Sequence, residues 1–246
     1  MKQTNNQISK WPKKKIPLSL ESQKIADDWM KYFHEIHKDK FSSIIKFSHE
    51  YVVKNSPQDF ITTLEIGAGL GEHLNYEKLT ENQHNNYVAL ELRENMAEVI
   101  KSRFPAVKTC IADCQQHIPY PDGYFDRIIA THVLEHLPNL PASLDEILRL
   151  LKKGIGRFFV VIPCEGGLGY FSGRWLTTKR IFEKRYNLPY EKFIKAEHVS
   201  TANEIITEIK KVFFIEHSSW YPLRIPSIHL NLCIGLTLKH LNSKNK

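Results

Sequence analysis

The chain has no long hydrophobic run, no apolar signal segment and few cysteines. None of its apolar runs approaches the roughly 20 residues that a bilayer-spanning helix needs. The first residues are polar, unlike those of a secretory signal peptide. The four cysteines, Cys110, Cys114, Cys164 and Cys233, show neither zinc-ligand nor disulfide spacing. We therefore expect a soluble cytoplasmic protein with reduced thiols.

Basic residues outnumber acidic ones, and the net charge is +7 over 246 residues. Much of this excess lies in residues 10–15 and 242–246, near the two ends of the sequence. Charged end segments are usually solvated, so the excess does not predict a nucleic-acid partner. With 42% hydrophobic residues, the chain is long enough to form one sizeable core.

A glycine-rich motif follows the apolar run at residues 60–64. Glu65 precedes Gly67, Gly69 and Gly71, which are spaced G-x-G-x-G. A strand, a glycine turn and a helix start form a ligand cradle, because glycine lets a ligand approach the bare main chain. The motif has neither the G-x-G-x-x-G of the dinucleotide fingerprint nor the Gly-Lys-Ser/Thr ending of the phosphate loop. A carboxylate at Glu65 instead favours a cationic ligand group, such as an ammonium.

Two more acidic residues end apolar runs further along the chain. Glu91 ends residues 87–91, roughly 20 residues after the glycines, which is the spacing of the ribose-binding acid in nucleotide folds. Asp113 ends residues 107–113. Three predicted strands that each end in a carboxylate, the first followed by G-x-G-x-G, resemble the class I S-adenosylmethionine-dependent methyltransferases. From about residue 60 to residue 163 the chain is similar to the small-molecule branch of that superfamily, type 11.

The resemblance implies S-adenosylmethionine as the cofactor and S-adenosylhomocysteine as its product. It places the glycine turn under the methionine part, with Glu65 anchoring the turn and the amino group. It assigns both ribose hydroxyls to Glu91 and the adenine to Leu92 and Asp113. The full set of cofactor-binding residues that the resemblance implies is Glu65, Gly67, Ala68, Gly69, Glu91, Leu92, Asp113, Cys114 and Thr131.

The resemblance and the hydrophobic pattern together predict an α/β fold. We expect a Rossmann-like sheet of seven strands, mostly parallel with an antiparallel C-terminal hairpin, and helices on both faces. Residues 1–56 are predicted to form a basic tail and helices packed on the core, and residues 57–246 the methyltransferase domain. Helices are predicted at residues 94–104, 144–151 and 201–211, the last capped by Ser200, and late strands at residues 156–163, 212–216 and 229–238.

Residues 164–198 are longer than a usual strand-to-helix connection and are predicted to form a lid inserted after the fifth strand. Within residues 170–195, aromatic residues alternate with basic ones, and the acids are Glu183 and Glu191. Such a lid is expected to form the acceptor pocket. Its positive charge suits an anionic acceptor, for instance a nucleotide-linked or phosphorylated sugar. An ordinary solvated basic face is the alternative.

Methyl transfer from a sulfonium to a hydroxyl requires alignment of the acceptor and removal of a proton. Histidine is the usual base near neutral pH, and the candidate catalytic residues are His198 and His132. A hydrogen-bonded structural role is the alternative for each, and His136 is the most structural of the three. The predicted N-terminal helices add candidates for the acceptor pocket, namely Tyr32, His34 and His37.

His132, Glu135 and His136 also raise the question of a metal ion. On a helical turn these side chains share one face and could hold a divalent ion. The stretch resembles the E-x-x-E-H of metal-dependent small-RNA and quinone-precursor methyltransferases, with His132 in place of the first glutamate. Because the Glu-His pair also occurs widely in relatives without a metal, we predict no metal ion here.

The sequence therefore predicts a methyltransferase that acts on a small molecule, with O-methylation of a sugar or glycan precursor as the favoured reaction. One alternative is a quinone- or lipid-directed methyltransferase at the membrane surface, where Trp11 and the lysines that follow it contact anionic lipid. Membrane contact is then at most peripheral. The other alternative is a relative that binds the cofactor for regulation or assembly, without catalysis.

Overall fold

The computed structural model describes residues 10–40 and 42–241, and within this part it describes the side chains of all residues except 30, 33–40 and 42. The two N-terminal helices are α1 (Leu20–Lys40) and α2 (Ser42–Asn55). The other helices are α3 (Glu81–Asn85), α4 (Glu94–Arg103), α5 (Leu140–Leu150), α6 (Leu168–Arg174), α7 (Arg180–Tyr186), α8 (Tyr190–Glu197) and α9 (Ala202–Val212). The strands are β1 (Thr63–Ile66), β2 (Tyr87–Glu91), β3 (Lys108–Ile111), β4 (Arg127–Thr131), β5 (Arg157–Pro163), β6 (Phe213–Tyr221) and β7 (Cys233–His240).

The strands form one seven-stranded sheet in the order β3-β2-β1-β4-β5-β7-β6. Strands β1 to β5 are parallel, whereas β7 runs antiparallel to both β5 and β6. This is the predicted sheet with its antiparallel C-terminal hairpin. The strand order reverses between β1 and β4, and ligands of such sheets bind in the crevice beyond the carboxyl ends at that point.

Residues on β4 show how the sheet is covered on both faces. Successive strand side chains point to opposite faces. Ile128 and Ala130 pack with the apolar faces of α5 and α9, while Ile129 packs with Tyr51 and Val52 of α2. The strands are therefore buried on both sides, as expected for parallel strands between helical layers.

Residues 164–198, the predicted lid insertion, contain three α-helices and share a small core with α1. Trp29 of α1 lies edge-on to Phe182 of α7, with ring centroids 5.2 Å apart, and Tyr190 and Phe193 of α8 complete the cluster. We expected the N-terminal helices to pack on the sheet, and α2 does so. Helix α1 packs against the lid insertion instead, because its aromatic face matches that of α7 and α8.

Several predicted boundaries shift, each for a local reason. Helix α5 begins at Leu140, because Pro141 is accommodated in the first turn. Helix α9 is capped by Thr201 rather than Ser200, and Glu204 completes the capping box. Strand β7 begins at Cys233 rather than residue 229, because Asn231 holds the preceding loop through bonds to the main chain of residues 223, 225 and 227.

The segment before α1 is tied to the body of the protein. Lys13 Nζ lies 2.8 Å from Glu204 Oε2 and donates to the Val199 carbonyl at 2.8 Å, and Lys10 pairs with the same glutamate. Trp11 packs against the main core. The tryptophan predicted to contact lipid therefore packs against the main core, and the first lysine is bound to α9. None of the described helices combines the length and apolar character needed to cross a membrane.

Candidate active site

The glycine turn joins the end of β1 to the cofactor side of the crevice. Gly67 and Gly69 have φ angles of 65° and 59°, a region that favours glycine. A Cβ at Gly67 would lie 2.6 Å from Val133 Cγ2, so the turn lies directly against the segment that follows β4. The Gly67 and Ala68 N–H groups donate to the Leu90 carbonyl of β2, at 2.8 and 3.1 Å. The turn is thus fixed to both neighbouring strands.

Glu91 lies at the end of β2 with its carboxylate next to the glycine turn. The residue is 3% exposed, and its Oε2 accepts a hydrogen bond from Gly69 N at 3.0 Å. Its Oε1 accepts from Arg93 N at 3.1 Å. Arg93 Nε, on a half-exposed side chain, also donates to Oε1 at 3.2 Å. A carboxylate has about four acceptor sites, so one remains for a ribose hydroxyl, and a second hydroxyl would have to take the place of the arginine. Leu92 is 65% exposed beside it, which leaves an apolar surface free for an adenine ring.

Glu65 lies beneath the glycine turn. It is 4% exposed, and the Tyr87 hydroxyl donates to its Oε2 at 2.7 Å. Burial raises the pKa of Glu65 to about 7, because the carboxylate has lost most of its hydration. A cationic group brought next to it would favour the charged form.

The remaining predicted cofactor residues lie at the ends of β3 and β4. Asp113 is half-buried, and its Oδ1 accepts from the Gln115 main chain at 2.9 Å. Thr131 Oγ1 is buried and has no hydrogen-bond partner among the described residues. The Cys114 side chain points into the core, 3.8 Å from Ser143 Oγ, and burial raises its thiol pKa to about 11. Only the Cys114 main chain is therefore available for a ligand.

These residues fit S-adenosylmethionine. The carboxylates of Glu65, Glu91 and Asp113 suit an ammonium, two ribose hydroxyls and an adenine amino group. The glycine turn allows close approach of the ligand to the main chain, and the unpartnered Thr131 hydroxyl at the same edge offers a donor.

His132 follows β4 and lies between a serine and a buried carboxylate. Its φ is 55°, an uncommon angle for a residue other than glycine. Its Nε2 lies 2.9 Å from Ser48 Oγ of α2, and its Nδ1 lies 3.7 Å from Glu135 Oε1. Burial would raise the pKa of Glu135, but the imidazoles of His132, His136 and His198 lower it to about 2. The carboxylate of Glu135 is therefore ionised at neutral pH.

His198 ends α8 and is held by a residue that follows β5. Its Nδ1 lies 3.0 Å from Glu165 Oε2, and Arg174 bonds the same carboxylate at 2.9 Å. Burial opposes ionisation of Glu165, but the contacts with His198 and Arg174 lower its pKa. His136 packs edge-on to His198, with ring centroids 4.8 Å apart, and burial lowers the pKa of His136. The two predicted catalytic histidines thus lie on either side of Glu135.

Sequence reasoning missed Ser48 and Glu165, which come from α2 and from the start of the lid insertion. Of the three N-terminal candidates, Tyr32 packs under the Arg185 guanidinium, 4.2 Å from it, and so belongs to the contact between α1 and the lid insertion. His34 and His37 lie outside the described side chains.

Residues 64–160 match the family model described as a methyltransferase domain. This match and the fold together support an S-adenosylmethionine-dependent methyltransferase.

Known proteins agree on the architecture. A SAM-dependent methyltransferase from Thermotoga maritima superposes with a TM-score of 0.59 at 19% identity, over 88% of this chain and 96% of that one. A second, from Aquifex aeolicus, gives 0.56 at 18% identity, over 88% and 98%. An uncharacterised protein of Methanocaldococcus jannaschii is 26% identical over 191 residues, 78% of this chain and 79% of the relative. The two similarities to solved structures show a shared fold.

Proposed function

We propose that this methyltransferase acts on a hydroxyl group of a small-molecule acceptor in the cytoplasm, and that the acceptor is a sugar or glycan precursor. When bound at the strand ends, S-adenosylmethionine supplies a methyl group on a sulfonium, which an acceptor oxygen attacks in line. A hydroxyl needs a base to remove its proton, whereas a neutral amine already has a free lone pair. The observation that carries the proposal is the position of His132 between Ser48 and the ionised Glu135.

The contacts of His132 support its proposed role as the base. His132 Nδ1 faces the Glu135 carboxylate, which only accepts hydrogen bonds, so the neutral ring carries its proton on Nδ1 and its lone pair on Nε2. Ser48 Oγ lies 2.9 Å from both Nε2 and the Ile44 carbonyl, and when it donates to the carbonyl the lone pair is left for the acceptor proton. A proton taken up at Nε2 gives an imidazolium that the Glu135 carboxylate, 3.7 Å from Nδ1, stabilises.

The position of His132 fits this role. It is followed directly by Val133, the residue that contacts the glycine turn, so it lies at the border between the cofactor turn and the acceptor side. His198 lies across Glu135 and is proposed to line the acceptor site.

The lid insertion is compatible with a neutral sugar. Part of its positive charge is used within the protein, since Arg174 pairs with Glu165, Lys179 with Glu191, and Arg185 with Asp28. The proposal therefore does not require a phosphorylated or nucleotide-linked acceptor. The exposed rings of Phe171 and Trp175 provide flat apolar surfaces suited to a sugar ring.

The test measures release of S-adenosylhomocysteine with panels of sugars, nucleotide-linked sugars, quinols, catechols and amines. With the best acceptor, His132→Asn is expected to lower kcat by about 10²- to 10⁴-fold, the usual contribution of a general base. Asparagine tolerates a positive φ and can donate to Ser48, so the turn is preserved. Binding of S-adenosylhomocysteine should be unchanged.

The matched control is His117→Asn, a histidine whose side chain is 72% exposed. Unchanged kcat in folded His132→Asn protein would contradict the assigned base. A kcat/KM for amines above that for every hydroxyl acceptor would contradict the proposed acceptor class.

A further inference from the structure

We propose that Glu135, His136 and His198 bind a divalent transition-metal ion at the acceptor edge of the sheet. One potential ligand atom from each lies within 4.8 Å of the other two. Glu135 and His136 belong to the 3-10 turn Leu134–His136 after β4, whereas His198 lies at the end of α8. The sequence pattern at residues 132–136 alone predicted no metal ion. His198, at the end of the lid insertion, adds a ligand that this pattern does not contain.

The two elements that supply the ligands are locked together by the main chain. The Glu135 carbonyl accepts from Val199 N at 2.8 Å and from Ser200 N at 3.2 Å. His136 Nδ1 lies 3.0 Å from the Glu197 carbonyl. The geometry of the cluster is therefore set by backbone contacts rather than by attraction among the side chains alone.

Both histidines have their free lone pair on Nε2. His198 Nδ1 faces the Glu165 carboxylate and His136 Nδ1 faces the Glu197 carbonyl, and both partners only accept hydrogen bonds. Each Nδ1 must therefore carry the proton, which leaves an unprotonated Nε2 on each ring. Metal-binding histidines almost always donate their other ring N–H to a carboxylate or carbonyl in this way.

Glu135 provides the negative charge and an oxygen without a partner. It is 1% exposed, and its Oε2 has no hydrogen-bond partner within the described part of the chain. Oε1 lies 3.7 Å from His132 Nδ1 and 4.0 Å from His136 Nε2, both longer than hydrogen bonds. A buried carboxylate oxygen left unpaired is costly, and a cation at this point would compensate it.

The ligand set favours a particular class of ion. Two imidazoles and one carboxylate suit Zn²⁺, Co²⁺, Mn²⁺ or Fe²⁺, whereas Mg²⁺ and Ca²⁺ prefer oxygen ligands. Metal–ligand bonds of about 2.0–2.2 Å require the three ligand atoms to move closer to each other by roughly 1 Å. Three protein ligands leave a coordination position open, which an acceptor oxygen could occupy. That last use rests on the proposed function, but cation binding does not.

The test uses the full-length protein, stripped with a chelator and titrated with Co²⁺ and Zn²⁺ by calorimetry. We expect one site with a dissociation constant of about 10 μM or tighter. Bound Co²⁺ should also give visible absorption bands of a low-coordinate site. In His136→Ala and His198→Ala the affinity should fall at least tenfold, and in Glu135→Gln the bands should weaken or shift.

His117→Ala is the matched control, because it removes an exposed histidine outside the cluster. Circular dichroism checks folding, and if His136→Ala does not fold, the half-buried His198 provides the decisive variant. No one-to-one binding by folded wild type would overturn the proposal, as would wild-type affinity in both folded histidine variants. Methyl transfer is not part of the readout, so failure of the proposed reaction leaves this result interpretable.

Discussion

Replacing Glu91 with glutamine is expected to weaken both cofactor binding and the fold. In the folded chain the Glu91 carboxylate accepts from Gly69 N, Arg93 N and Arg93 Nε, at 3.0, 3.1 and 3.2 Å. Glutamine keeps one carbonyl oxygen for the Gly69 N–H. Its amide group cannot accept from the Arg93 N–H, and it carries no charge for ribose hydroxyls.

The magnitude follows from these contacts. A hydrogen bond to a charged group contributes about 1.5–3 kcal/mol, so loss of the one to ribose should weaken S-adenosylhomocysteine binding by about 10- to 150-fold. The free energy of unfolding should fall by about 1–3 kcal/mol, because one buried backbone N–H at Arg93 loses its partner. Glu91→Ala should cost more stability, because the Gly69 N–H is then left unpaired as well.

Calorimetric titration of S-adenosylhomocysteine and urea unfolding measure the two effects separately. Glu94→Gln is the matched control, since Glu94 is an exposed carboxylate in the first turn of α4. A folded Glu91→Gln protein that binds S-adenosylhomocysteine as tightly as wild type would refute the reasoning. The ribose hydroxyls would then have to be bound by another residue.

Two further predictions concern buried charges. Because burial raises the pKa of Glu65 from 4.5 to about 7, the folded chain binds this proton more tightly than the unfolded chain. Its contribution to stability is therefore present below about pH 4.5 and lost as the pH rises to about 7. In Glu65→Gln, the free energy of unfolding measured with urea should depend less on pH over this range. If the cofactor ammonium binds beside Glu65, binding of S-adenosylhomocysteine should release a proton near neutral pH. The binding heat measured by calorimetry should then differ between buffers of different ionisation enthalpy. The same binding heat in all buffers would contradict this. Arg127→Met should lower the free energy of unfolding by about 3–5 kcal/mol, because it leaves buried Glu77 without the guanidinium now 2.8 Å away. Most of that loss should be recovered by adding Glu77→Gln, and an Arg127→Met loss below about 1 kcal/mol would contradict the argument.

The prediction for the cofactor side of the site rests on local signals in the sequence. A glycine turn requires particular residues in a run of five, and the carboxylates of Glu65 and Glu91 end strands that the hydrophobic pattern already marks. The parallel topology then brings these strand ends together. The antiparallel C-terminal hairpin was predicted from the resemblance to the family.

The acceptor side could not be predicted in the same way, because its contacts join distant parts of the chain. Ser48 and His132 are 84 residues apart, and Glu165 and His198 are 33 apart. Nothing in a local pattern links a serine on one helix to a histidine after a strand. The partners of the charges in the lid insertion could not be predicted for a related reason, since Arg185 is paired with Asp28 of α1, 157 residues away.

The placement of α2 has a consequence for how the enzyme can be compared and divided. The family match covers residues 64–160, and the residues assigned to the cofactor lie within it. Ser48, Glu165 and His198 lie on either side of that span. Relatives that share only the matched segment therefore need not share an acceptor. Because β6 and β7 also lie outside that segment, the protein cannot be trimmed to it without opening the sheet. Chimaeras that exchange only α2 and the lid insertion would test whether these two parts select the substrate.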